Sequence, residues 1–320
     1  MARVEDAVAV LRRGGLVAFP TETVYGLGCD AENVDALRRL YSVKGRPRDH
    51  PVIVHVELPD ALAEWSSDVS PAARALADAC WPGPLTLVVP RRDRVPDEVT
   101  GGRDTVGLRV PDQPLALALL HEFGGGLAAP SANRFGRVSP TTADDVRADL
   151  GDDVDLVLDG GPCDVGLEST IVDCSGDDPV ILRLGGVPVE RIEAILGTSL
   201  AQRTDGEVAA PGTLSAHYAP AAQVVVADAG ATAARAASLL ASGSRVGVLA
   251  TAPVPPKLPA GVVVLEPPAD VDDYAHVLYA RLREADERSL DVVIAVPPPP
   301  AGVGAAICDR LARAARGSAR

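Results

Sequence analysis

Lysine is nearly missing from this 320-residue chain: Lys44 and Lys257 are the only two, so 30 − 2 = 28 of its basic residues are arginines. A composition that replaces lysine wherever any long cation would serve marks Lys44 as kept for its chemistry, because a compact ammonium and a planar guanidinium are not interchangeable on a phosphate or carboxylate. Asparagine is equally scarce, at Asn33 and Asn133. Aromatics make up 3% against 47% hydrophobic residues, which predicts a core of Ala, Val and Leu. The five cysteines (Cys29, Cys80, Cys163, Cys174, Cys308) are dispersed with no CxxC pair, which indicates neither a disulfide framework nor a zinc site. No run of about 18 apolar residues occurs, and the opening MARVEDAVAVLRRGG has acidic residues and no signal-type apolar stretch. The expectation is a soluble cytoplasmic protein that does not enter membranes. Phosphate-loop, HExxH, GxSxG and kinase signatures are absent, so any nucleotide must be held in another way. The net charge of −14 opposes broad nucleic-acid binding, which needs many neutralised phosphates, while leaving room for a local basic cleft.

The pattern of elements predicts two domains with a linker: 1–198, 199–221 and 222–320. A helix over 5–13 closes at Gly14-Gly15 and the strand LVAFP follows; a second helix is expected over 31–41, entered at Asp30 or Asn33 and stopped by Pro47. Strands are expected at 51–56, 85–90, 105–111, 127–131, 156–161, 169–174 and 180–186, and several follow one another without a helix, which implies a mixed rather than parallel sheet. Residues 188–197 read as a helix. Residues 198–216 show no periodicity and form the candidate linker. From 222 strands and helices alternate cleanly, as in a small doubly wound parallel fold. Gly302-Val303-Gly304 is only a fragment of a dinucleotide fingerprint and reads as a turn.

Candidate chemistry concentrates in the first 185 residues. FPTETVYGLG puts Thr21, Glu22, Thr23 and Tyr25 directly after a buried strand, where a ligand crevice or a helix-capping turn is expected. Lys44 and Arg46 sit two residues apart in KGRP, and His50 and His55 flank the next strand. Thr105 and Arg109 lie four apart and so face one side of their strand; an inward arginine there needs an anionic ligand or an internal carboxylate. APSANRFGRVSPT offers Ser131, Asn133 and Ser139, suited to phosphate, ribose and Mg²⁺-water contacts and also to ordinary turns. STIVD adds Ser169 and Thr170, and ILRLGG adds Arg183.

The ordered series FPTETVYGLG, KGRP, LRVP, APSAN, STIVD, LRLGG and PGTLSAHYAP, with GVGAAICDRLARAA near the end, resembles the YrdC-type threonylcarbamoyl-adenylate synthase family in its long two-domain form. That resemblance implies an α/β fold: a YrdC-like mixed twisted sheet with helices as catalytic domain and a small Rossmann-like parallel α/β/α C-terminal domain. It implies a nucleotidyltransferase making L-threonylcarbamoyl-AMP and pyrophosphate from L-threonine, bicarbonate and ATP. The product would pass to a tRNA threonylcarbamoyl transferase complex that modifies adenosine beside the anticodon of ANN-reading tRNAs. Thr21, His55, Arg109 and Ser169 would lie at threonine. Lys44, Arg46, His50, Thr105, Ser131, Asn133, Ser139, Arg183 and Tyr218 would lie at ATP, with Lys44, Arg46 and Arg109 catalytic, and HYAP (217–220) in a lid. Mg²⁺ would be carried by ATP, with no direct protein ligand and no organic cofactor. An RNA-binding module and a hydrogenase-maturation carbamoyl-transfer domain are the competing readings; charge disfavours the first and the missing zinc-finger pattern the second.

Overall fold

In a computed structural model, the structure describes residues 2–203, 217–253 and 257–318. The expected linker therefore falls mostly on 204–216, outside the described residues, as does the PGTLSA motif. The chain divides into two compact units, one of residues 1–135, 139–164 and 168–213 and the other of 136–138, 165–167 and 214–320. No described helix is long and apolar enough to cross a membrane.

Among the described residues the first unit has ten strands: β1 (Val17–Phe19), β2 (Gly26–Asp30), β3 (Ile53–His55), β4 (Leu85–Pro90), β5 (Thr105–Arg109), β6 (Leu127–Ala128), β7 (Leu156–Val157), β8 (Thr170–Asp173), β9 (Val180–Arg183) and β10 (Ala201–Gln202). They form one sheet in the order β10-β9-β8-β4-β5-β3-β6-β2-β1-β7, with parallel pairs β3·β5, β4·β8, β1·β7 and β9·β10 among antiparallel ones. The mixed sheet is the class the sequence implies. Val54, Leu87, Leu108 and Val172 point from one face into the main core with Leu37, Leu40, Leu76 and Trp65.

Three local expectations are corrected. GLGCD is a strand that returns antiparallel to β1, so Thr21 to Tyr25 form a hairpin turn and cap no helix. The second expected helix runs from Val34 to Lys44, three residues later than the range expected, with Asn33, one of its two candidate entry residues, accepting from the Ala36 amide at its start. Its stop is Gly45 in the left-handed conformation (φ 64°), ahead of Pro47, which places Lys44 in the last turn and throws Arg46 clear of the helix. Ala201 and Gln202, inside the segment read as irregular, pair with Val180 and Ile181 as an edge strand.

Among the described residues the second unit has four parallel strands, β11 (Gln223–Val226), β12 (Val246–Leu249), β13 (Val263–Val264) and β14 (Val292–Ala295), in the order β11-β14-β12-β13. Helices Ala229–Ala241, Val271–Glu287 and Val303–Ser318 follow β11, β13 and β14, in the order the sequence pattern predicts. Gly304 packs so closely on the Pro299 carbonyl that a Cβ would collide with it, which gives this glycine a packing reason independent of any dinucleotide.

Candidate active site

A polar row crosses the first sheet on the face opposite the main core. His55 pairs with Arg109 across β3 and β5, Leu87 opposes Leu108 across β4 and β5, and Thr86 pairs with Ile171 across β4 and β8. Paired positions share a face and neighbours along a strand alternate, so His55, Arg109 and Thr86 stand side by side. All three are buried. Thr86 Oγ1 lies 2.7 Å from Ser169 Oγ. Arg183, at the end of β9, donates from Nε and Nη2 to the Ser169 carbonyl at 3.0 and 2.8 Å and from Nη2 to Ser169 Oγ at 3.0 Å. Gly185 lets this turn close: a Cβ there would strike the backbone of Glu168 to Thr170. Ser169 and Arg183, assigned to different substrates by the resemblance, are thus direct neighbours.

The hairpin turn sits against Arg109. Thr21 Oγ1 donates to the Val24 carbonyl at 2.7 Å and accepts from the Thr23 and Val24 amides, an arrangement that fixes the turn. Arg109 donates from Nε to the Gly83 carbonyl (3.2 Å) and from Nη1 to Thr23 Oγ1 (2.9 Å). Its Nη2 lies 2.6 Å from Glu22 Oε1, and both side chains are about 95% buried. This contact is an ion pair by distance but lacks hydrogen-bond alignment: neither Glu22 oxygen nor Nη2 has an aligned partner among the described residues. Of the two partners open to an inward arginine, the internal carboxylate is therefore present. Burial, reinforced by Arg109, pushes the His55 imidazole down to about 3, so it is neutral at ordinary pH. Burial pushes the neighbouring Cys163 thiol up, away from the thiolate a nucleophile requires.

Lys44 is held in the loop 131–133. Its Nζ donates to the carbonyls of Ser131 (2.5 Å) and Asn133 (2.6 Å) and to Asn133 Oδ1 (3.3 Å), and Ser131 Oγ donates to the same Oδ1 at 2.6 Å. Three acceptors match the three donors of an ammonium. Burial first, and then Arg46, lowers its pKa well below the usual lysine value. Arg46 donates to the carbonyls of His50 (3.3 Å) and Pro51 (2.8 Å), and its guanidinium lies 5.8 Å from the Phe135 ring centroid. His50 meets the same ring edge-on at 5.7 Å, and burial with Arg46 lowers its pKa.

Backbone bonds tie these groups together. Tyr25 donates its amide to Pro140 (2.9 Å) and accepts from Ala132 (2.8 Å), Gly26 bridges Ser131, and Phe135 donates to the Lys44 carbonyl (2.8 Å). Ser139 Oγ donates to Glu168 Oε1 at 2.7 Å, next to Ser169. Thr105 stands apart at the start of β5, four residues or ~13 Å along the strand from Arg109. Tyr218 belongs to the second unit. There it adopts φ 62°, stacks on Tyr279 at 5.7 Å and lies 4.9 Å beneath the Arg310 guanidinium.

Residues 9–185 match the Sua5–YciO–YrdC family model, described as telomere recombination, and residues 187–316 match the model described as threonylcarbamoyl-AMP synthase, C-terminal domain. The chain belongs to the threonylcarbamoyl-AMP synthase family. The Bacillus subtilis threonylcarbamoyl-AMP synthase is 41% identical, over 98% of this chain and 93% of the relative. That of Pyrococcus abyssi is 36% identical over 98% and 94%. The solved structure of P. abyssi Sua5 complexed with L-threonine superposes with a TM-score of 0.92, at 36% identity and 98% and 94% coverage.

Within this synthase fold, Thr86 and Glu168 are neighbours of the site that sequence reading did not single out. Each had a weak signal: a threonine inside the apolar strand LTLVVP, and a carboxylate immediately before the STIVD motif. Glu22 was noticed as part of the turn but not as the partner of Arg109.

Proposed function

We propose that this protein condenses L-threonine, bicarbonate and ATP into L-threonylcarbamoyl-AMP and pyrophosphate. It would thereby act as a nucleotidyltransferase at the first step of tRNA threonylcarbamoyladenosine modification beside the anticodon of ANN-reading tRNAs. The observation that carries this reading is the buried constellation Arg109, Arg183 and Lys44, interleaved with the hydroxyls of Thr21, Thr23, Thr86, Ser169 and Ser131 in one unit of a family member. The reaction brings a threonine carbamate dianion to a nucleotide polyanion, so the cleft has to offset both charges.

Threonine would sit at Thr21, His55, Arg109 and Ser169, its carboxylate on Arg109; that the P. abyssi relative is complexed with L-threonine supports threonine as the ligand. The amine condenses with bicarbonate, water leaves, and a carbamate oxygen attacks the α-phosphorus of ATP with loss of pyrophosphate. Lys44, Arg46, His50, Thr105, Ser131, Asn133, Ser139 and Arg183 would receive ATP, with Tyr218 closing on the nucleotide. Lys44, Arg46 and Arg109 act by position and charge, with no covalent enzyme intermediate. Neutral His55 orients the threonine by hydrogen bonding. Mg²⁺ bound through the ATP phosphates would offset charge developing on the departing pyrophosphate. The hydroxyl of Ser131 and the amide of Asn133, joined by a hydrogen bond of 2.6 Å, suit contacts through metal-bound water. The product would go to a tRNA threonylcarbamoyl transferase complex in the cytoplasm, with neither a membrane nor strong direct nucleic-acid binding involved.

The test is incubation with ATP, L-threonine and ¹³C-bicarbonate, followed by mass analysis of the nucleotide product. A threonylcarbamoyl adenylate carrying one ¹³C is expected; pyrophosphate release without incorporation of threonine would contradict the reading.

A further inference from the structure

Arg109 is anchored by two of its three nitrogens and presents the third to Glu22. Nε and Nη1 hold the Gly83 carbonyl and Thr23 Oγ1, whereas Nη2 lies 2.6 Å from Glu22 Oε1, and neither it nor either Glu22 oxygen has an aligned hydrogen bond to any described residue. An interior carboxylate in that condition is costly, because its desolvation is offset only by charge attraction and not by the hydrogen bonds a buried ion needs. The surroundings supply no better partner. Thr21 and Thr23 direct their hydroxyls to each other and to backbone or Arg109, the Cys163 thiol is kept protonated by burial, and His55 is neutral. The missing partner is a cation with several N–H donors.

We propose that Glu22 receives the α-ammonium of the amino-acid substrate while Arg109 takes its carboxylate, the two forming a clamp for a zwitterion. This rests on the functional reading above and adds a residue to it. A zwitterion entering the clamp converts one poorly aligned ion pair into two charge-assisted contacts and supplies the donors Glu22 lacks. A hydroxy acid of the same shape brings only the carboxylate. It has to compete with Glu22 for Arg109 and leaves the buried Glu22 without compensation. Glu22 therefore selects amino acids against hydroxy acids, a discrimination that Arg109 and the hydroxyls cannot provide.

The test is calorimetric titration of the full chain with L-threonine and with (R)-3-hydroxybutanoate, its deamino counterpart. Wild type should prefer L-threonine by at least about tenfold, the worth of one charged hydrogen bond. Glu22→Gln should weaken L-threonine by about 10- to 100-fold and leave the hydroxy acid unchanged or tighter, since Arg109 is released. Glu22→Asp, which keeps the charge on a shorter arm, should weaken L-threonine less than Glu22→Gln does while leaving the hydroxy acid unchanged or tighter, and supplies the contrast with wild type if the glutamine variant does not fold. Equal weakening of both ligands in Glu22→Gln, or an undiminished preference, would overturn the clamp while leaving the synthase reading intact. Failure of wild type to bind L-threonine would overturn the synthase reading and the clamp with it.

Discussion

The two units bury arginine in opposite ways. In the second, Arg310 and Arg313, 0% and 2% exposed, share Asp309, one and four residues away, so a single helix brings the cations and a carboxylate together. Burial opposes the Asp309 charge, but Arg310 and Arg313 prevail and hold its pKa below the usual carboxylate value. In the first unit the buried cations face groups far away in sequence: Lys44 reaches Ser131 and Asn133, Arg183 reaches Ser169, and Arg109 reaches Gly83, Thr23 and Glu22. Most of these partners are carbonyls and hydroxyls, which solvate a cation without cancelling it. Local carboxylate pairing builds structure; long-range solvation by neutral oxygens builds a place for an anion.

That contrast is sharpest in kinetics. Lys44→Ala should lower pyrophosphate release at least about 100-fold, the usual loss when one preorganised electrostatic group is removed, measured at a temperature where the variant is still folded. A fall below tenfold would put Lys44 with the structural cations. In the second unit, Asp309→Asn takes the shared carboxylate from two buried guanidiniums and should cost about 3 kcal/mol in chemical denaturation. A cost under about 1 kcal/mol would mean that the pairing is not what supports Arg310 and Arg313.

His55 supplies a pH test. It is neutral in the fold down to about 3, whereas the unfolded chain protonates it near 6.5, so the unfolded state binds more protons between those values. Its contribution is complete above about pH 6.5 and is lost as pH falls toward 3. Wild type should therefore lose about 2 kcal/mol more than His55→Asn between pH 6.5 and 5; parallel stability curves would contradict this.

The smallest expected effect compares two buried threonines. Thr86→Val breaks the contact with Ser169 and Thr232→Val the bond to the Asp228 carbonyl, each costing about 1 kcal/mol. Only Thr86→Val should also raise KM for L-threonine. If Thr232→Val does so equally, the polar row has no special standing.

Much of this was legible in the chain because it is local. A scarce lysine, two hydroxyls after a buried strand, an arginine in an apolar strand and the parallel periodicity after residue 222 are all visible within a few residues. The strand GLGCD was not, since two glycines in five residues give no strand periodicity; only pairing with β1 and β6 shows it. The Glu22 to Arg109 contact spans 87 positions, and Thr86 gains meaning only from the register of β4 between β5 and β8. The helix Val34–Lys44 lies three residues beyond the range its periodicity suggests, because Asn33, one of the two entry residues the sequence offers, caps its start and Gly45 closes it ahead of Pro47. Long-range pairing and the choice among adjacent caps are what a single sequence conceals.

The most direct measurement is calorimetric binding of MgATP to wild type and to Lys44→Ala. If neutral oxygens hold Lys44 ready for an anion, wild type should bind and the variant should bind at least about 30-fold more weakly, in line with loss of a charge-assisted contact. Equal affinities in the two proteins would contradict the account.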